Sequence, residues 1–194
     1  SVWNAGAGTG ANNTAFGNDA LIANTTGSSN TAIGYQALKA NSAKSFNTAI
    51  GYQAALNTWN GESITAIGYQ ALLANTTGSN NTAIGTKALL SNTIGVSNTA
   101  IGFQSMLLNT TGGTNTAIGY NSLVNNTTGT GNAAVGYEAG KSNTTGYGIT
   151  AVGTQSLSNN STGYNNTSIG WQSLYYNTIG HDNVAIGHTT LRSN

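Results

Sequence analysis

The sequence predicts an all-β chain, a parallel β-solenoid (β-roll or β-helix) of eleven 17-residue coils, and three observations carry that expectation. Glycine falls at every multiple of 17: Gly17, Gly34, Gly51, Gly68, Gly85, Gly102, Gly119, Gly136, Gly153, Gly170 and Gly187. A second glycine column stands at position 10 of each unit, from Gly10 to Gly180, with Lys44 the exception. Just before the first column, each unit places a branched or aromatic residue after a small one. A fixed short period without insertion marks stacked coils, each resting on its neighbours. Composition alone, Gly-rich and without Pro, would fit a low-complexity segment, but disorder has no use for phased glycines.

The unit is clearest at Tyr69–Gly85, YQALLANTTGSNNTAIG, in which Tyr69 is position 1. Glycine is required where φ is positive or where another backbone passes too close for a Cβ. The two columns therefore mark corners and divide the coil into a longer arm (positions 1–9) and a shorter one (positions 11–16). The shorter arm ends in Asn-Thr-Ala-Ile, as at Asn98–Ile101, and reads as a short strand. Position 16 supplies Ile33, Ile50, Ile67, Ile84, Ile101, Ile118, Val135, Val152, Ile169 and Ile186, which are expected to form one inward stack. Alternation then sends the alanines of position 15 to the opposite face, where a small-residue stripe would let another flat surface approach.

The longer arm opens Tyr-Gln-Ala-Leu, with the leucine recurring from Leu21 to Leu191 and replaced by Met106 in one coil. Ala-Leu-Leu-Ala is helix-friendly, but solenoids with a helix use roughly 20–29 residues per coil. Adjacent strands need only about 4.8 Å, so a flattened all-β coil is the better fit. Its interior should be thin, with four or five inward side chains per coil. Asparagine recurs at positions 7 and 13, nine times each. Position 13 is expected to form amide ladders along the rod, and position 7 to form turns.

The whole chain, residues 1–194, reads as one repeat domain: eleven units over 1–187 and a partial twelfth over 188–194. The repeat is in phase from the first residue and neither end carries an evident cap. A segment of a longer fibre is the expectation, since uncovered β edges invite addition.

Only 5% of the residues are charged and the formal net charge is +1. Five scattered cations make no basic stripe, which argues against nucleic acid as a partner. No apolar run is long enough to insert in a membrane. The four carboxylates, Asp19, Glu62, Glu138 and Asp182, fall at unrelated repeat positions. No metal site, no catalytic residue and no cofactor is therefore expected, and an enzyme is not. His181 and Asp182 are adjacent, so on a strand they would face apart.

Three side-chain columns carry functional expectations. Aromatics occupy position 1 at Tyr35, Tyr52, Tyr69, Phe103, Tyr120, Tyr137 and Trp171, either as a corner cluster bracing the coils or as a contact stripe for sugar rings. Asn-x-Ser/Thr occurs twelve times, most regularly at Asn24, Asn75, Asn109, Asn126, Asn143 and Asn160. Covalent glycans there would help keep a nearly uncharged rod in solution. Threonine is regular at position 14 and frequent at positions 8 and 9, a pattern that resembles flat ice-binding solenoids. Adjacent threonines face opposite ways on a strand, so ice binding is the third alternative.

The string Asn-Thr-Ala-Ile-Gly-Tyr-Gln-Ala-Leu with Asn-Thr-Thr-Gly resembles repeats in tail-fibre-like proteins of phages and bacteria, many of which end in an intramolecular chaperone domain. It is also similar to the head repeats of YadA-like trimeric autotransporter adhesins, whose shorter period builds a left-handed parallel β-roll. The resemblance spans essentially the whole chain. It implies an extracellular, cell-surface or virion fibre that self-associates as a filament or homotrimer. The leading expectation is a structural fibre or fibril subunit; the alternative is an adhesin or tail-fibre shaft that binds surface carbohydrate.

Overall fold

The computed structural model describes residues 10–193. It contains eleven strands, β1 (Thr14–Phe16), β2 (Thr31–Ile33), β3 (Thr48–Ile50), β4 (Thr65–Ile67), β5 (Thr82–Ile84), β6 (Thr99–Ile101), β7 (Thr116–Ile118), β8 (Ala133–Val135), β9 (Thr150–Val152), β10 (Thr167–Ile169) and β11 (Val184–Ile186). They form one parallel sheet in sequential order. Each residue pairs with its equivalent one coil on, as Thr82↔Thr99, Ala83↔Ala100 and Ile84↔Ile101. Eleven strands at about 4.8 Å make a rod of roughly 50 Å. The solenoid and its 17-residue period are as the sequence predicts.

The longer arm is neither strand nor helix. It is a run of consecutive β-turns, in which Ala37 N–H donates to Gly34 C=O, Lys39 to Gln36 and Asn41 to Leu38, at 3.1–3.3 Å. Positive φ at Gln36 (56°) and Leu38 (49°) permits it and is what the third residue of a type II turn requires. The same pattern recurs at Gln70 and Leu72 and along both columns. Backbone groups left over by the turns cross to neighbouring coils. Leu72 N–H donates to Ala88 C=O at 3.0 Å and Gln70 N–H to Tyr52 C=O at 2.9 Å, so hydrogen bonding along the axis extends well beyond the three-residue strands.

The two glycine columns answer different needs. At Gly68 φ is +134° and a Cβ would lie 2.6 Å from the Gly85 carbonyl oxygen, so both conformation and space demand glycine. At Gly61 φ is not positive, yet a Cβ would lie 2.6 Å from the Gly78 carbonyl. There only the close approach of the next coil matters.

The strands reverse one expectation about the core. Ala32 and Ala49 are completely buried, whereas Ile33 and Ile50 are 36% exposed. The position-15 alanines face inward and the position-16 column, from Ile33 to Ile186, faces out. The cause is the thinness of the coil. Inward-facing Leu38, Leu72 and their equivalents already fill the interior with the alanines of position 3, so the strand has room for a methyl group and no more. Five side chains per coil point inward, at positions 3, 4, 7, 13 and 15. Burial of each leucine is worth about 1.5–3 kcal/mol; two of the other four are amides.

Those amides hold the coils together. From Thr58 to Asn177 the position-7 side chains form an unbroken ladder; Asn109 Nδ2 donates to Asn92 Oδ1 at 2.8 Å and Asn126 Nδ2 to Asn109 Oδ1 at 2.9 Å. The second hydrogen of each Nδ2 goes to the carbonyl three residues on, as Asn109 to Gly112 at 3.0 Å. At position 13 the contacts are mainly with backbone. Asn98 Oδ1 accepts from Asn115 N–H at 3.0 Å, and Asn98 Nδ2 donates to Gly112 C=O at 2.8 Å. The expected roles of the two columns are thus exchanged: position 7 holds the amide ladder, and position 13 cross-links backbone between coils. Where serine replaces alanine at position 3, its hydroxyl donates to the strand, as Ser105 to Ala117 C=O at 2.8 Å, so these buried hydroxyls keep partners.

Candidate interaction surfaces

Three outward surfaces follow from this coil. The first is the sheet face itself. Along β2–β10 the half-buried position-14 residues, threonine in every strand but β8, alternate with the outward column of position 16. Exposed aliphatic side chains there include Ile33, Ile50, Ile118, Val135 and Ile169. No charged residue stands at positions 14, 15 or 16 in any coil. The face is in register and uncharged along its length.

The second surface is the position-1 column. Tyr35, Tyr52 and Tyr69 stack at centroid distances of 5.2 and 5.4 Å. Phe103, Tyr120 and Tyr137 stack at 5.2 and 5.3 Å, and Trp171 stacks on His188 at 4.8 Å. The rings within a stack lie within 18° of parallel, which braces successive coils. All seven predicted aromatics are exposed, but neighbouring rings cover one another's faces. The column is broken at Thr86 and Thr154.

A third column stands apart from the repeat consensus. Tyr147, Tyr164 and His181, all at position 11, stack at 5.0 and 4.6 Å. Only the last three complete coils carry rings there, after Ser28, Ser45 and Ser79 in earlier ones, so the repeat consensus hides them. The clue was the spacing of 17 between Tyr147, Tyr164 and His181.

Charge is confined to the turn arms and corners. Lys39 Nζ lies 3.2 Å from Asp19 Oδ2, and Lys141 Nζ lies 2.8 Å from Glu138 Oε1. Hydrogen bonds from Gln36, then from Lys39, hold the Asp19 carboxyl below its ordinary pKa. Lys141, and then Gln155, do the same for Glu138, while Glu138 raises the Lys141 ammonium. His181 Nδ1 and Asp182 Oδ2 are 2.8 Å apart, contrary to the expectation that they face apart. They lie on a turn corner where Asp182 has φ +57°, not on a strand. The His181 contact, followed by Asn165, lowers the Asp182 pKa. Among the described residues no cluster of three or more His, Cys, Asp or Glu could hold a metal ion, and no helix is long and apolar enough to cross a membrane.

The six candidate glycosylation sites are corrected by the same geometry. Asn24, Asn75, Asn109, Asn126, Asn143 and Asn160 are all buried. From Asn75 onward both Nδ2 hydrogens are donated inside the rod, and Asn24 Nδ2 donates to Gly27 C=O. A sugar would have to replace one of those hydrogens in a space filled by the next coil. This fold offers these amides no room for a glycan.

No protein-family model matches the chain, and no curated protein or solved structure matches it either.

Proposed function

We propose that this chain is a non-enzymatic structural segment of an extracellular, cell-surface or virion fibre, and that its rods associate with further copies of themselves through the Thr/Ile sheet face. The observation that carries the reading is the uncharged, outward-facing column at position 16, aliphatic from Ile33 to Ile186 and exposed or half-buried along the rod. Contiguous apolar surface of this kind marks an association site. A second copy is the occupant best matched to it, because only another rod of the same period meets every coil in register. Segregation of all nine charged residues away from positions 14–16 supports the same occupant, since a charge-free strip costs little to desolvate. The likeness of the repeat to fibre and adhesin repeats supports the setting.

Sedimentation velocity tests it. The wild-type chain should sediment as dimers or larger species, and Ile84→Lys/Ile101→Lys/Ile118→Lys as a folded monomer. A wild-type chain that stays monomeric at all concentrations sinks the proposal.

A second reading, a shaft that contacts surface carbohydrate, draws on the exposed aromatic columns. Because stacked rings hide their faces, such contact falls to the breaks in the columns.

A further inference from the structure

From Tyr35 to His188 the position-1 column carries a ring in every coil but two, those of Thr86 and Thr154, and those two places have a defined size. Backbone hydrogen bonding runs through them unchanged. Lys87 N–H donates to Tyr69 C=O at 2.9 Å and Gln104 N–H to Thr86 C=O at 3.0 Å; Gln155 N–H donates to Tyr137 C=O at 2.8 Å and Gln172 N–H to Thr154 C=O at 3.0 Å. The coil step is therefore kept, and only the ring is replaced by a short side chain. Tyr69 and Phe103, like Tyr137 and Trp171, stand two steps apart, or roughly 10 Å. The column's own stacking distance is 5.2–5.4 Å in its triplets, so each break admits one ring in contact with both walls.

The chemistry of the breaks narrows what that ring is. The upper face of Tyr69 and the lower face of Phe103 have no ring partner, and the same holds for Tyr137 and Trp171. Tyr69 and Tyr137 are the most exposed of the seven, at 46% and 47%. Thr86 and Thr154 are exposed at the floor and offer hydroxyls for hydrogen bonding. Two apolar walls with a polar floor and an open, wet mouth suit a pyranose better than a wholly apolar ring. Ring faces attract C–H groups. A pyranose whose substituents are all equatorial presents axial C–H on both faces, whereas a galacto-configured ring puts a hydroxyl on one.

We propose that the rod carries two carbohydrate slots, at Thr86 between Tyr69 and Phe103 and at Thr154 between Tyr137 and Trp171, each taking one gluco-configured pyranose. The inference rests on the second reading above and narrows it to two places and one sugar configuration. In each slot the ring lies across the rod axis, so a terminal sugar, or one residue of a chain running crosswise, is what enters.

Methyl β-glucoside and cellobiose are titrated into the chain while the threonine methyl signals of Thr86 and Thr154 are followed by NMR, with Trp171 fluorescence as a second readout. Both methyl signals should shift, and methyl β-galactoside should bind at least about tenfold more weakly. The decisive variant fills the slots. Thr86→Tyr/Thr154→Tyr continues a column that already accepts tyrosine in neighbouring coils, so it should fold, unfold at a higher temperature and lose sugar binding. Binding that survives in the filled variant overturns the slots but leaves carbohydrate contact standing elsewhere on the rod. No binding of any of the three sugars by the wild type overturns both. Equal binding of glucoside and galactoside overturns the two-faced sandwich.

Discussion

At position 7 one carboxamide holds both its own coil and the next. Asn109 donates to Gly112 C=O within its coil and to Asn92 Oδ1 on the neighbour, and accepts from Asn126. Asn109→Ala removes three hydrogen bonds and leaves buried partners unsatisfied, at about 1–3 kcal/mol for each orphaned group. Chemical denaturation should show a loss of at least about 2 kcal/mol. Asn109→Asp keeps the shape but has no donors when ionised and buries a charge, so it should be worse at pH 7 than at pH 4. The strained left-handed residues give a prediction of opposite sign. Phe46 is exposed with φ +62°, a conformation asparagine accepts more readily. Phe46→Asn should stabilise the rod by about 0.5–1 kcal/mol, and an unchanged denaturation midpoint would contradict that account.

At the scale of the strand, the question is which face is in. Ala100 sits against the leucine column with no exposed surface, and Ile101 faces out. Ala100→Val should therefore cost about 1–3 kcal/mol by overpacking, while Ile101→Ala should change monomer stability by no more than about 0.5 kcal/mol. Thermal unfolding of the two variants measures this directly; the reverse order would restore the inward isoleucine stack expected from the sequence. The period, the strand and both glycine corners were legible because each is a local demand repeated in ten or eleven coils. The face was not, because alternation alone does not say which side is interior, and by size the larger apolar residue is the one expected inside. A sharper clue was present: position 15 tolerates only Ala and Ser168, whereas position 16 admits Ile, Val and Phe. Strict smallness marks the confined side. The turn arm was hidden for a different reason, since Gln and Leu carry no sign of the left-handed φ that the coil imposes on them.

Over the whole molecule, stability comes from repetition of one coil, and little of it is ionic. Four carboxylates serve 194 residues, and exposed ion pairs contribute only about 0–1 kcal/mol each. The Glu138 pKa is lowered on folding, so its contribution is present above the ordinary value of 4.5 and fades as pH falls through the lower folded value. The Lys141 pKa is raised, so its contribution is present below 10.5 and is lost as pH rises through the higher folded value. Between those limits the melting temperature should stay nearly flat, and calorimetry at pH 5, 7 and 9 should agree within about 4 °C. A strong optimum would mean that some ionic contact matters more than this coil allows.

The association of copies through the outward Thr/Ile face is tested most directly by electron microscopy of the assembled wild-type chain, at a resolution that separates strands. The account predicts rods meeting along β1–β11, with Ile84, Ile101 and Ile118 of one copy at the contact and the aromatic columns facing solvent. Assemblies joined through the aromatic columns, or isolated rods with the sheet face bare, would contradict it.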